Sequence, residues 1–483
     1  MKDLVQLAID TAKAKGATYA DARGVEIWRE DVATKNGALG QADFSESVGL
    51  GVRVIADGAW GFASTANLSR GGVEKAAALA VEIAKASATV TKEKVKLAPV
   101  EKVIARWETP ILYDPFEISL EEKVGLLLSI DKVLRGVKGV KVAEGNFTFV
   151  RKKQEFASTE GSKIGQVITM SGVGYSATAV GGDDVQKRSY PTSFRGQFEN
   201  RGYEIVDRWP LLENAQRIGE EAVALLSAPQ CPQGKKDLIL ESSQLALQVH
   251  ESCGHPIELD RVLGTEANFA GQSFLTLEKH KKFEYGSKKV HLTADATAPG
   301  GAGTFGYDDE GVPSRKWDIV KEGQFVGYLT SRETAGVIGL DQSQGTMRAD
   351  GWNRIPIIRM VNVSLQPDKG SLGELISDTD DGIYMETNRS WSIDQRRYNF
   401  QFGTEIGWEI KKGKKTRMLK NPTYAGITPE FWRSCDAVCG RKEWVLWGIP
   451  NCGKGQPGQI MATGHGAAPA RFRGVDIGVA YAD

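Results

Sequence analysis

The chain is poor in the residues that most often bind metals. Its 483 residues include only five histidines and five cysteines. It also lacks net charge, since 61 basic residues offset 61 acidic ones. A balanced surface draws in no polyanion, so composition points to no nucleic acid and no acidic membrane as partner. No run reaches the 18 or so apolar residues that a membrane-crossing helix needs. The start, Met1-Lys-Asp-Leu-Val-Gln, carries an acid at once and has no apolar stretch of signal-peptide length. An odd number of cysteines fits a reducing compartment, with thiols kept for metal or redox use. The expectation is a soluble, cytoplasmic protein.

Against that scarcity, two of the five histidines fall within six residues, His250 and His255, with Glu251 directly after the first. Imidazole is the commonest metal ligand, and a carboxylate beside it can take a proton from a water at the metal. The pattern points to a catalytic zinc site. Its spacing is unusual, because the familiar His-Glu-x-x-His places its ligands four apart on one helical face. At about 100° per residue, a separation of five turns the side chains about 140° apart. The helix must therefore be irregular, either through a π-type bulge at Gly254 or through unwinding at His255, which precedes Pro256. Catalytic zinc takes three protein ligands, and every cysteine (Cys231, Cys253, Cys435, Cys439, Cys452) is a candidate third. Cys253 lies within the motif and is expected to point away. Cys452 sits in the turn-rich Asn451-Cys-Gly-Lys-Gly-Gln-Pro-Gly458, where flanking glycines allow close approach and Lys454 favours the thiolate.

The chain divides into three segments. Residues 1–98 read as a helix near 3–15, a meander over 20–64 and an alanine-rich helix near 72–88, followed by a charged linker at 91–99. Residues 99–228 repeat the order, with a helix near 120–134, strands between 140 and 190, and a helix near 210–226. Helix, meander, helix, twice over, predicts duplicated α+β modules with antiparallel sheets and helices on one face. Residues 229–483 begin with a short strand and the histidine-bearing helix, then become glycine-rich and mainly β. A third ligand at Cys452 would arrive about 200 residues after the histidines.

The His-Glu-x-x-x-His motif, followed by Pro-Ile-Glu-Leu-Asp-Arg-Val-Leu-Gly-Thr-Glu-Ala, resembles the TldD branch of the TldD/PmbA metallopeptidases. So do the stretch from Gly51 to Ser64, Tyr307-Asp-Asp-Glu-Gly311 and the late Asn-Cys-Gly-Lys-Gly. The resemblance runs from about residue 20 to the carboxyl terminus. It implies a zinc peptidase in which His250, His255 and Cys452 hold the metal and Glu251 is the base, acting on extended or unfolded peptides. It also implies a homodimer, or a heterodimer with a related subunit that lacks the motif.

Other features carry less. Asp308-Asp-Glu-Gly311 either turns the chain or binds a cation, and Asp308, Asp309 and Arg348 are candidate substrate contacts. Arg348 and Arg359 can meet a peptide carboxylate or lie on the surface in solvent or salt bridges. Gly300 to Gly306 reads as a mobile glycine segment near the substrate, since it lacks a phosphate-loop ending. Cys435 and Cys439, expected on one face of a short helix, form with Cys452 and His465 a rival structural zinc site of poor spacing. Two other functions remain open: a non-hydrolytic peptide-binding partner with structural zinc, and an amidohydrolase acting on small molecules.

Overall fold

The computed structural model describes residues 1–268 and 271–479. In chain order its amino-terminal elements are α1 (Lys2–Ala14), β1 (Tyr19–Lys35), β2 (Ala38–Ala56), β3 (Ala59–Thr65), α2 (Arg70–Ala88), β4 (Ile104–Glu108) and α3 (Leu120–Gly136). They continue with β5 (Val140–Ser158), β6 (Lys163–Gly181), β7 (Asp184–Tyr190), β8 (Gln197–Glu199), α4 (Ile205–Arg208) and α5 (Leu211–Ser227).

Alternation along β2 explains how this half is layered. Leu50, Val52, Val54 and Ala56 pack on Val5, Ala8, Ile9 and Ala12 of α1 and on Val73, Ala77, Ala80 and Ala84 of α2. The intervening positions face the other way, since successive residues of a strand point to opposite sides. There Gly49 and Gly51 are covered by Trp352, so closely that an added Cβ on Gly49 would lie 2.2 Å from the indole. The second unit is built alike: Leu127, Ile130 and Leu134 of α3 meet Phe147, Phe149, Val173 and Ala177, together with Ala215 and Ile218 of α5. Side chains of Ser69 and Ser119 cap α2 and α3.

The two helix–meander–helix units share one sheet. Strand order is β3-β2-β1-β5-β6-β4, with β7 and β8 also pairing with β6. β1 pairs antiparallel with β5 from Asp21–Ser158 to Lys35–Glu144, so the units join through their first strands. Helices cover one face of this sheet and the carboxy-terminal β region covers the other.

That region opens with β9 (Gly234–Leu240) and α6 (Ser242–Val249). Two sheets follow. One runs, in spatial order, Gln324–Phe325, Lys316–Lys321, Leu292–Asp295, Asn362–Leu365, Gln459–Ala467, Val445–Lys454. In the other, Asp381–Ile393, β9, Ala470–Val479, Pro422–Ile427 and Asn399–Lys411 pair in succession, and a further pairing of the first with the last closes the ring. α6 packs against strands of both sheets and is buried along its whole length. The fold is α+β with a β-rich carboxy-terminal region around the histidine-bearing helix. Among the described residues, no helix is long and apolar enough to cross a membrane.

The acid cluster joins the layers. Asp309 pairs with Arg23 at 3.3 Å, and Glu310 pairs with Arg53 at 3.2 Å while Arg53 also binds Asp21 at 2.6 Å. Asp308 accepts the amides of Glu310, Val312 and Met347, which is the turn role. Gly300 to Gly306 is packed, contrary to the mobile segment expected. Added Cβ atoms would lie 2.4 Å from Asn362 at Gly301, 2.5 Å from Val361 at Gly303 and 2.4 Å from Trp107 at Gly306, so these glycines serve close approach. Removing one partner of a buried ion pair strands the other, at about 3–5 kcal/mol. Arg53→Ala should therefore lower stability to denaturant by about that amount; an unchanged midpoint would show that the layers do not depend on this contact.

Candidate metal centre

α6 enters the interior with a polar stripe four residues apart, and each member finds a partner. Gln244 donates to the Tyr424 hydroxyl at 2.8 Å, and that hydroxyl donates to Gln248 Oε1 at 2.9 Å. Ser252 accepts from Trp432 Nε1 at 2.9 Å, and its carbonyl accepts from Tyr285 at 3.0 Å. The Glu241 carboxylate caps the start through Ser243 N at 2.7 Å. Because buried polar groups must be paired, these contacts fix the helix's rotation.

The helix then widens. His250–Gly254 is a π-helical turn, closed by the His255 amide donating to the His250 carbonyl at 3.2 Å. The i to i+5 bond brings residues five apart onto one side. The two rings meet edge to face, with centroids 4.8 Å apart. Gly254 takes part through packing: a Cβ there would come 2.1 Å from Met360 Sδ. His255 stays in the helical region at φ −67°, so the bulge, and not unwinding before Pro256, resolves the spacing.

Cys452 arrives on the hairpin Val445–Lys454/Gln459–Ala467, where it pairs with Met461 after the ladder slips between Ile449 and Cys452. Such a bulge re-aims a side chain. Its Sγ lies 3.8 Å from His255 Nε2, and the donor atoms of His250, His255 and Cys452 all lie within 4.8 Å of one another. Tetrahedral bonds of about 2.0–2.3 Å space ligand atoms about 3.3–3.8 Å apart, so the donor set fits one ion after a small contraction. All three residues are buried.

Hydrogen bonds behind the imidazoles set their tautomers. His465 Nδ1 donates to the Val363 carbonyl at 2.8 Å, which leaves its Nε2 to accept from His250 Nδ1 at 2.7 Å. His250 Nε2 is thereby left as a lone pair for a metal. His255 Nδ1 donates to Glu258 Oε2 at 3.1 Å and frees its own Nε2 in the same way. Burial holds His250 down at about 4 and His255 well below the usual imidazole value, so both are neutral and able to ligate at pH 7.

The cysteines separate on the same grounds. Burial raises Cys231, Cys253, Cys435 and Cys439 to about 12. Burial acts on Cys452 too, but the thiol lies below its ordinary value, with the buried Arg359 guanidinium opposing the effect of burial. Lys454 is committed elsewhere, to Asp260 at 2.7 Å, so the neighbouring cation expected to favour the thiolate is Arg359. Gly453 has open space where a Cβ would stand, whereas Gly455 supplies the positive φ of 88° that the turn requires. Arg359 is fully buried rather than on the surface, and it donates to the carbonyls of Cys452 and Gln459.

Glu251 is buried beside the ligands, and Arg397 Nη1 donates to its Oε2. Arg397 adopts a left-handed φ of 65° in the turn between Asp381–Ile393 and Asn399–Lys411. Asp308, Asp309 and Arg348 stand apart from this cluster and line a separate cavity. Cys435 lies in a strand, Cys435–Val438, rather than a helix, and His465 backs His250. Sequence reasoning missed Glu258 and Arg397, and it set His465 in a rival zinc site rather than behind His250. Only Glu258 left a local signal, three residues after His255.

Comparison with known proteins identifies the family of the chain. Three models of the PmbA/TldA metallopeptidase family match: domain 1 over residues 20–84, the central domain over 113–228 and the C-terminal domain over 233–478. A metalloprotease of Methanocaldococcus jannaschii is 30% identical over 94% of this chain and 95% of its own length. A metalloprotease TldD homolog of Buchnera aphidicola is 26% identical over 96% and 92%. The structure of TldE from Thermococcus kodakarensis superposes with a TM-score of 0.76 at 15% identity, covering 98% of this chain and 99% of that one, which shows a common fold. With family models across most of its length, this chain belongs to the PmbA/TldD metallopeptidase family.

Proposed function

We propose that this chain is a zinc-dependent peptidase, with His250, His255 and Cys452 as ligands and Glu251 as the base. The reading rests on one observation: two neutral imidazoles and a thiol of lowered pKa converge, next to a buried carboxylate that is not among the three. Two nitrogens and a sulfur suit zinc, and three protein ligands leave a position for substrate. A structural site would be closed by a fourth protein ligand, and among the described residues only these three converge.

When bound, zinc supplies Lewis acidity toward a peptide carbonyl and acidifies a water. Glu251 takes the proton of the attacking water and returns it to the departing amine. Arg397 aims that carboxylate through Oε2. His465 and Glu258 keep the imidazoles turned toward the ion. Because the ligands are only 3–4% exposed, folded proteins cannot reach them, which supports extended or unfolded peptides as substrates. Strand addition would hold such a chain without regard to sequence.

Membership of the family favours pairing with a second copy or with a related subunit lacking the motif. The exposed stretch Ala38–Val48, with Phe44 61% exposed, offers a surface for it. Five free cysteines support a reducing, cytoplasmic location.

Peptide digestion by the purified chain, paired with metal analysis, tests the assignment. Glu251→Gln should keep its zinc and lose at least about 10²-fold in kcat; full activity in that variant would remove Glu251 as base. Cys452→Ser should lower zinc content, and an unchanged content would remove the sulfur from the ligand set.

A further inference from the structure

The turn 394–398 carries one arginine to the metal centre, and three residues pin that turn. Asp394 accepts the Arg397 amide at 2.9 Å through its carbonyl and the Tyr398 amide at 2.8 Å through Oδ1. Phe274 N donates to the Arg396 carbonyl at 3.0 Å. Thr428 donates twice, from Oγ1 to the Arg397 carbonyl and from N to the Tyr398 carbonyl, each at 2.8 Å. A backbone held on three sides fixes where the Arg397 side chain enters, and that side chain is only 16% exposed.

Only part of its guanidinium is used. Nη1 donates to Glu251 Oε2, Nε is buried with no partner, and Nη2 makes no hydrogen bond among the described residues. The other cations around the centre are engaged elsewhere: Arg359 with the carbonyls of Cys452 and Gln459, and Lys454 with Asp260 and the Ile358 carbonyl. Glu258, the other buried acid close by, faces His255, Arg261 and Lys454. Among the described residues, Glu251 is therefore the one acid paired with Arg397. A largely buried cation that loses its counter-charge is costly.

Peptide hydrolysis takes that counter-charge away at its central step. As the water oxygen bonds to the carbonyl carbon, a water proton passes to Glu251 and the carbonyl π pair moves onto the carbonyl oxygen. One negative charge leaves Glu251 and reappears on an oxygen of the carbon under attack. That carbon also carries the oxygen that Glu251 has deprotonated, so a guanidinium bound to Glu251 stands beside both. Its charge already acts at His250, His255 and Cys452. A thiolate ligand cancels half the charge of a divalent ion, so a second cation adds to the stabilisation of the oxyanion. The oxyanion then re-forms the carbonyl, the C–N bond breaks, and the proton on Glu251 goes to the departing nitrogen. The carboxylate is restored as the partner of Arg397.

We propose that Arg397 is a catalytic residue, whose guanidinium turns from the Glu251 carboxylate to the oxyanion of the tetrahedral adduct as the proton moves. The proposal rests on the peptidase reading and takes Arg397 beyond orienting the base. For the test, a peptide that the unsubstituted chain cuts is remade with a phosphinate in place of the scissile amide, a tetrahedral anion that needs no proton transfer. Phosphinate and parent peptide are titrated into the zinc-loaded Glu251→Gln chain and into the same chain carrying Arg397→Met. Loss of a charge-assisted hydrogen bond should weaken the phosphinate at least about tenfold and the parent peptide less than about twofold, with zinc content unchanged. In the chain that keeps Glu251, Arg397→Met should lower kcat at least about tenfold with KM nearly unchanged. Arg397→Gln takes the place of the methionine variant if that one does not fold. Equal loss for both ligands would make Arg397 a structural residue and overturn the proposal. So would an unchanged phosphinate affinity in the Glu251→Gln chain, since Arg397 would then act through Glu251 alone. If the unsubstituted chain cuts no peptide, the peptidase reading falls and the proposal with it, which tells the two failures apart.

Discussion

One backbone hydrogen bond, from the His255 amide to the His250 carbonyl, determines whether two imidazoles can share an ion. In a regular helix the same residues point about 140° apart. The i to i+5 bond removes that divergence, and the surroundings hold it in place. Trp432, Tyr285 and Tyr424 engage the polar stripe of the helix, so the helix cannot rotate to restore an α turn without leaving buried donors unpaired. Met360 lies against Gly254 with no room for a side chain, so the widened turn and the core around it specify each other.

The remaining donors come from far along the chain and depend on that turn being in place. Cys452 is 197 residues from His255, and His465 is 215 from His250. Both sit on one hairpin, whose bulge directs the sulfur inward while the next strand places the imidazole behind His250. Buried Arg359 fixes the hairpin through two carbonyls, and Lys454 ties it to Asp260 beyond the second histidine. Centre and domain therefore form together. The amino-terminal sheet closes the other side of the domain, and its ion pairs with Asp309 and Glu310 give the acid cluster a role in joining layers.

Much of this was legible locally. The close pair of histidines, the acid between them and the need for an irregular turn follow from spacing alone, and the helix–meander–helix order is visible as periodicity switching between 3.6 and 2. What lay beyond the sequence is long-range. Nothing near Tyr19 or Val140 announces that β1 and β5 will pair and merge two units into one sheet. His465, Glu258 and Arg397 are polar residues whose roles exist only once the fold brings them against His250, His255 and Glu251. Cys435 and Cys439 are spaced for a helical face, but pairing with Ala470–Val479 draws Cys435 into a strand. The glycines from 300 to 306 look like a loose loop until Asn362, Val361 and Trp107 are seen pressed against them. Glycine content reports freedom and close approach alike, and only neighbours distinguish them.

The central claim is that His250, His255 and Cys452 bind one zinc ion. X-ray absorption at the zinc edge of the purified, zinc-loaded chain tests it most directly. The account predicts one sulfur scatterer at about 2.3 Å with nitrogen or oxygen scatterers at about 2.0–2.1 Å. A spectrum without sulfur in the first shell, or with two or more sulfurs, would contradict it.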